Sequence, residues 1–382
     1  MHTAKSYQSK INKMKVPWAN PWLDEIEKKE IDAAFDSTWL GMGPRTQEFE
    51  EKMRKYIGVK HGIAVSNGTV ALDLALKAIG IEAGDEVIVP AMTYIATVSA
   101  VLYQNAIPVF ADIELDTYNI DPEVIKRLIT KKTKCILYID YGGNPADHAN
   151  LKKVSVETGI PLVQDGAQSL GAQINSEKLC KQGIVCTTSF HIAKLMTTIE
   201  GGMVFTEDDS IAMRLRMLRN QGEDPKQKYI HQILGTNARM TDIQAAIGLT
   251  QFDKLAKILE KRAWIGEFYY REFSRSKKIT IPQIRQGAKN AWFFAPILVE
   301  NRDIVAQELK KIGIDNRIAY PMPVYEQPFF HRYINKNKTY DCPNAKWMTE
   351  RVINLPMFHD ISEEQLNYII ENAIRIIEKN AK

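Results

Sequence analysis

The chain has 382 residues, of which 45% are hydrophobic, enough for a sizeable buried core arranged as one large domain and one smaller one. Fifty basic residues against 46 acidic ones leave a net charge of only +4, too balanced to imply a nucleic-acid partner. No apolar run approaches the roughly 20 residues of a membrane helix, and the polar, lysine-containing start Met1-His2-Thr3-Ala4-Lys5 does not read as a signal peptide.

Residues 1–17 are polar and without clear pattern, and are expected to form a mobile segment. Seven short stretches rich in valine and isoleucine then follow at 62–66, 86–91, 107–113, 135–140, 160–165, 186–191 and 203–206. Helical patterns separate several of them, the alternation expected of a mostly parallel sheet covered on both faces.

The first stretch runs into Ser66-Asn67-Gly68-Thr69, after which Val70, Leu72, Ala75, Leu76 and Ile79 recur at helical spacing. A strand, a tight turn and a helix N-terminus together offer free N–H groups to a phosphate. The fifth stretch delivers Asp165 at its C-terminal end, the sheet edge where ligands bind in open α/β folds. The sixth leads to Lys194 and then to Gly201-Gly202, a position suited to a Schiff-base lysine if the amine is desolvated enough to be neutral. Taken one at a time, a surface lysine, a helix-capping aspartate and an ordinary strand-to-helix turn would account for these residues.

A long helical pattern covers 242–273, with Ile243, Ala246, Ile247, Leu255, Leu259 and Ile265 among its apolar positions. The remainder reads as a small α+β domain, with "AWFFAPILV" and "IDNRIAY" as strands and "SEEQLNYIIENAIRIIEK" as a closing amphipathic helix. Ser362 and Gln365 have the spacing of a capping box. The division is expected as 18–254 and 255–382. Cys135, Cys180, Cys186 and Cys342 form no C-x-x-C pair and have no zinc-site spacing, so free thiols in a reducing compartment and no metal are expected.

Jointly, "SNGTVALDLAL", "GDEVIVPAMTYIATVSAVLYQNAIPVFADI", "DGAQSLGA", "SFHIAKLMTTIEGGMV" and "GTNARMTDIQAAIGLTQF" resemble the DegT/DnrJ/EryC1/StrS aminotransferases from about Trp18 to about His359. The resemblance implies the aspartate-aminotransferase-like fold (type I of the enzymes that use pyridoxal 5'-phosphate, PLP), with a mostly parallel seven-stranded sheet and a small α+β C-terminal domain. It implies that Lys194 holds PLP and moves a proton, that Asp165 pairs with the ring nitrogen, that Gln168 lies near the ring oxygen and that Tyr94 stacks on the ring. Gly68, Thr69 and Ser189 would hold the phosphate, and Asn237 would reach it from the other subunit of a homodimer. His191 receives no role.

The implied reaction is cytoplasmic transfer of an amino group, with glutamate as donor, to a nucleotide-linked 4-keto-6-deoxy sugar for a surface glycan. The alternatives are a 3-keto sugar, an inosose or a small keto phosphate, and, further off, sugar dehydration or a PLP-binding regulator. Dehydratases of this group carry histidine where Lys194 stands, which favours transamination. Four features depart from the family pattern: Gly166 replaces the usual alanine, and Ile199 the usual glycine, both expected to be tolerable; and Tyr325 and the "IDYGGNPAD" segment around Asp140 alter stretches expected at the substrate.

Overall fold

The computed structural model describes residues 14–333 and 340–380. A seven-stranded sheet is built from β1 (His61–Val65), β2 (Glu86–Pro90), β3 (Ile107–Ala111), β4 (Thr133–Ile139), β5 (Leu162–Asp165), β8 (Val185–Ser189) and β9 (Gly202–Thr206). Two short strands, β6 (Gln173–Ile174) and β7 (Glu177–Lys178), lie apart from it. The order across the sheet is β1-β9-β8-β5-β4-β2-β3, and β9 alone runs against the rest. All seven expected strands are present, with ends displaced by no more than two residues.

Their near-continuous apolar character has a direct cause. Val87, Val89, Cys135, Leu137 and Ile139 face one core, while Ile88, Ile136 and Tyr138 face another, so both faces of the pleat are buried. On the second face, at the other end of the sheet, Ile63, Val65 and Val204 pack against Leu74 and Ala75 of α3 (Gly68–Ala78) and Leu215 and Leu218 of α7 (Asp209–Arg219). No helix among the described residues is long and apolar enough to cross a membrane.

The 242–273 helix, α8 (Asp242–Phe273), forms over the span its periodicity predicts. Thr241 and Gln244 close a capping box at its start. Asp242, in its first turn, is fully buried and accepts bonds from the Gly43 and Thr46 N–H groups at 2.8 and 2.9 Å, tying α8 to α2 (Pro44–Ile57). Near Leu255 the helix contributes to the sheet core, and from Ile265 onward, through Tyr269 and Phe273, to a second core shared with α9 (Arg302–Lys311) and α11 (Glu363–Asn380). We propose the stretch between Leu255 and Ile265 as the division between the two units. The Ser362–Gln365 capping box is formed, with bonds of 2.9 and 3.1 Å.

Three expectations need correction. The "AWFFAPILV" strand shrinks to β13 (Pro296–Leu298), paired with β14 (Val352–Asn354), because Ala291 and Phe294 instead donate to the carbonyls of Gly143 and Gly142. "IDNRIAY" is no strand but a stretch with single bridges at Ile314 and Arg317 that ends at Tyr320 in a left-handed backbone conformation. Of the segment expected to be mobile, residues 1–13 lie outside the described residues, whereas Val16 is buried in the second core and bridged to Ile314.

Where α8 enters the second core, Trp292 is seated on Gly266, and a Cβ there would lie 2.1 to 2.2 Å from the indole ring. Gly266→Ala therefore overpacks a closed contact and is expected to lower stability by about 1 to 3 kcal/mol. Urea denaturation measures this, and an unchanged midpoint would mean that the indole relocates freely.

Candidate active site

The C-terminal ends of β1, β2, β5 and β8 open on one cavity of about 1040 Å³. Asn67, Gly68 and Thr69 line it after β1, Thr93 and Tyr94 after β2, Asp165, Ala167 and Gln168 after β5, and Ser189 and Lys194 after β8. Seven of the eight residues singled out from the sequence thus converge on one cleft.

Lys194 sits on a loop that is closed on itself. Phe190 donates its N–H to Gly201 O at 2.8 Å and accepts from Thr198 N at 2.9 Å, while Lys194 N bonds to His191 O at 2.8 Å. The amine lies 4.5 Å from the centroid of the Phe293 ring. Burial against such surfaces lowers its pKa to about 8, only partly opposed by the attraction of Asp165.

Asp165 is 5% exposed, and burial pushes its pKa up although Ala167 N (3.1 Å) and Thr97 Oγ1 (2.8 Å) both donate to it. Thr97 is itself linked to Thr93 at 2.8 Å. The two shifts share a cause, since loss of solvation outweighs mutual attraction for amine and carboxylate alike. Among the described residues Asp165 has no salt bridge. A cationic ring nitrogen against this carboxylate would supply the close ion pair that the Lys194 amine does not form with it, so the donor set fits a pyridine cofactor.

The phosphate end fits equally. Asn67 caps α3 but accepts only from Val70 N, at 2.9 Å, which leaves the Gly68 and Thr69 amides at the lining turn. A Cβ at Gly68 would stand 2.7 Å from Ser189 Cβ, so glycine lets the turn approach the serine closely. Tyr94 holds the start of α4 (Ile95–Tyr103) with 57% of its surface exposed, a ring available for stacking.

The eighth residue stands apart. Asn237 is exposed, bridges to Asn220 through the backbone and is not part of this cavity's lining. Nor are Tyr325 and Asp140, which were expected at the substrate. Tyr325 is buried among Phe110 and Tyr340, and Asp140 is buried against His148 at 2.9 Å and Gln164 at 2.7 Å. Both side chains are consumed by packing. Gly166 is fixed by contact rather than merely tolerated, as a Cβ would meet Cys180 Sγ at 2.5 Å and Thr187 O at 2.7 Å.

Sequence reasoning missed Thr97, Phe293, Phe294, Arg317 and Tyr320. Thr97 lies one helical turn after Thr93, a spacing that could have been read. The others come from the C-terminal unit, more than 100 residues beyond the last of these strand ends at Ser189, and no local signal links them to the cleft.

The profile of the DegT/DnrJ/EryC1/StrS aminotransferase family matches residues 21–374. The GDP-perosamine synthase of Caulobacter vibrioides is 36% identical over 360 residues, which cover 92% of this chain and 95% of that protein. The UDP-N-acetyl-3-dehydro-alpha-D-glucosamine 3-aminotransferase of Acidithiobacillus ferrooxidans is 35% identical over 347 residues, covering 91% and 92%. A putative sugar aminotransferase of Streptococcus pneumoniae, Spr1654, solved in its PLP form, superposes with a TM-score of 0.89 at 28% identity, covering 96% of this chain and 99% of that one.

Two outcomes follow from this geometry. The neutral amine is the form that reacts with an aldehyde, so uptake of PLP by the apo protein should accelerate with pH through a midpoint near 8 and then level off. A midpoint near the ordinary 10.5, followed by cofactor absorbance, would mean that the amine is solvated. Ile199 adopts φ of +68°, where a β-branched residue is strained by about 1 to 3 kcal/mol. After the extra chain entropy of glycine is subtracted, Ile199→Gly is expected to gain about 1 kcal/mol; a lower urea midpoint would show that the isoleucine makes compensating contacts.

Proposed function

The chain belongs to the DegT/DnrJ/EryC1/StrS family of PLP-dependent sugar aminotransferases, and from that premise we propose that it transfers the amino group of L-glutamate to a nucleotide-linked 4-keto-6-deoxy sugar. The observation that carries the chemistry is the pairing, in one cleft, of a lysine whose pKa is lowered to about 8 with a buried carboxylate that forms no salt bridge among the described residues.

When bound, PLP supplies an electron sink for the carbanion formed beside the transferred nitrogen. Everything else falls to the chain. The Lys194 amine binds the cofactor and, once released, takes the proton from the substrate carbon and returns it. Asp165 keeps the ring nitrogen protonated, with Thr97 and the Ala167 amide aiming its two oxygens. Gln168 would donate to the ring oxygen, Tyr94 would cover the ring face, and Gly68, Thr69 and Ser189 would bind the phosphate. Phe293 and Phe294 exclude water beside the amine, which raises the neutral fraction far above that of a solvated lysine.

Asn237 would serve the phosphate held by the second subunit of a homodimer. That assignment is supported by its exposure outside its own chain's cavity, next to the exposed Leu234 and the hairpin of β10 (Glu223–Asp224) and β11 (Gln227–His231) with exposed Tyr229 and Ile230. Four unpaired, buried thiols support a cytoplasmic setting.

A 3-keto acceptor is the second reading, favoured by the similarity to the Acidithiobacillus enzyme. The test is a panel of GDP-, dTDP- and UDP-linked 4-keto and 3-keto sugars with PLP and glutamate, read by product mass. Replacement of one keto oxygen by an amine in a 4-keto sugar is expected, with Lys194→Ala abolishing turnover. Amination confined to 3-keto members would transfer the assignment to them, and conversion of the cofactor by glutamate with no sugar aminated would defeat both.

A further inference from the structure

The cofactor contacts proposed above within one chain come from the strand ends of the sheet, yet the cavity has a second wall that they leave unused. Arg317, Tyr320, Gln327 and Phe329 line it from the C-terminal unit. Within that wall Tyr320 is tied directly to the cofactor side, because Gln168 Nε2 lies 2.9 Å from its hydroxyl oxygen.

The orientation of that bond follows from its neighbour. Gly142 N–H can only donate, and it lies 2.8 Å from Gln168 Oε1. This fixes the amide, so Nε2 is the atom facing Tyr320, and an amide nitrogen likewise only donates. The phenol oxygen is therefore the acceptor, and its own proton must go elsewhere. Among the described residues nothing accepts it. The neighbours are rings, with centroids of Tyr141 at 6.1 Å and of Tyr94 and Phe294 at 6.4 Å from that of Tyr320. The open direction is the cavity that Tyr320 lines.

The backbone carries an independent sign. Tyr320 has φ of +59°, a conformation that a bulky L-residue adopts only under constraint from its surroundings. Strain of this kind held in a ligand-lining segment is a mark of a residue whose placement matters more than its comfort. Burial also keeps the phenol protonated, with its pKa well above the ordinary tyrosine value, so it serves as a donor and not as a base.

We propose that Tyr320 is a specificity-determining residue of the acceptor half-reaction, its hydroxyl donating to an oxygen of the keto sugar while Gln168 holds it from behind. In the resting protein the proton is given to solvent, and substrate binding exchanges that partner for a sugar oxygen. The proposal rests on the sugar aminotransferase reading above. Glutamate, which reacts beside Lys194 and has no sugar hydroxyls, does not need this contact.

The experiment compares wild type with Tyr320→Phe, as PLP-loaded holoenzymes, in two half-reactions. Conversion of the cofactor by glutamate is followed by absorbance, and amination of the panel sugar that wild type accepts is followed by product mass. Loss of one neutral hydrogen bond predicts about a tenfold fall in kcat/KM for the sugar. The calorimetric Kd of the amino-sugar product should rise by a similar factor, while the glutamate half-reaction and PLP affinity stay within about twofold. Equal losses in both half-reactions would reduce Tyr320 to a structural prop, and no loss in either would also overturn the proposal. A wild type that aminates no panel sugar would instead sink the acceptor reading itself and this proposal with it, a result distinct from a variant that matches an active wild type. Thermal unfolding of the variant separates a folding defect from a lost contact.

Discussion

Removing an amine and a carboxylate from water in the same cleft is the constraint on which the rest of this structure depends. Each charge would be better solvated outside, and the attraction between Lys194 and Asp165 does not restore what solvation is lost, since one pKa falls and the other rises. An arrangement of this kind persists only if the surrounding fold holds both groups in place. The sheet does so for Asp165 by making it the last residue of β5, between β4 and β8. The closed loop that begins at Phe190 does so for Lys194.

The same demand explains why close approaches cluster at this edge. Gly68 lets the start of α3 come up to Ser189, and Gly166 leaves room for Cys180 directly behind Asp165. Any side chain at either place would push apart two elements whose spacing sets the site. Ile199 and Tyr320 show the opposite tension, both residues standing in left-handed backbone conformations that glycine would adopt without strain. Local preference yields there to the geometry around the cleft, which is where such conflicts are expected.

The C-terminal unit has two roles that its own core does not reveal. Through Ile265, Tyr269 and Phe273 it is anchored on the far half of α8, and through Phe293, Phe294 and Tyr320 it closes the cavity over Lys194. Backbone bonds from Ala291 and Phe294 to the carbonyls of Gly143 and Gly142 fasten that wall to the end of β4. The lysine is thus desolvated by residues remote from it in sequence, and its altered acidity belongs to the assembled pair of units.

Local sequence pattern is enough to place the seven strands, the span of α8, the family, and Gly68, Thr69, Tyr94, Asp165, Gln168, Ser189 and Lys194 at strand ends. These are legible because burial on both faces of a sheet and on one stripe of a helix imposes short-range periodicity, and because turns and caps use few residue types. It did not determine that Tyr325 and Asp140 are consumed by packing, that 314–320 leaves the strand conformation, that Thr97 braces Asp165, or that Phe293 and Tyr320 complete the cleft. Those features emerge on packing, because which side chains meet across more than a hundred residues depends on how two cores dock, and desolvation is a property of everything packed around a group rather than of the group's own neighbours in the chain.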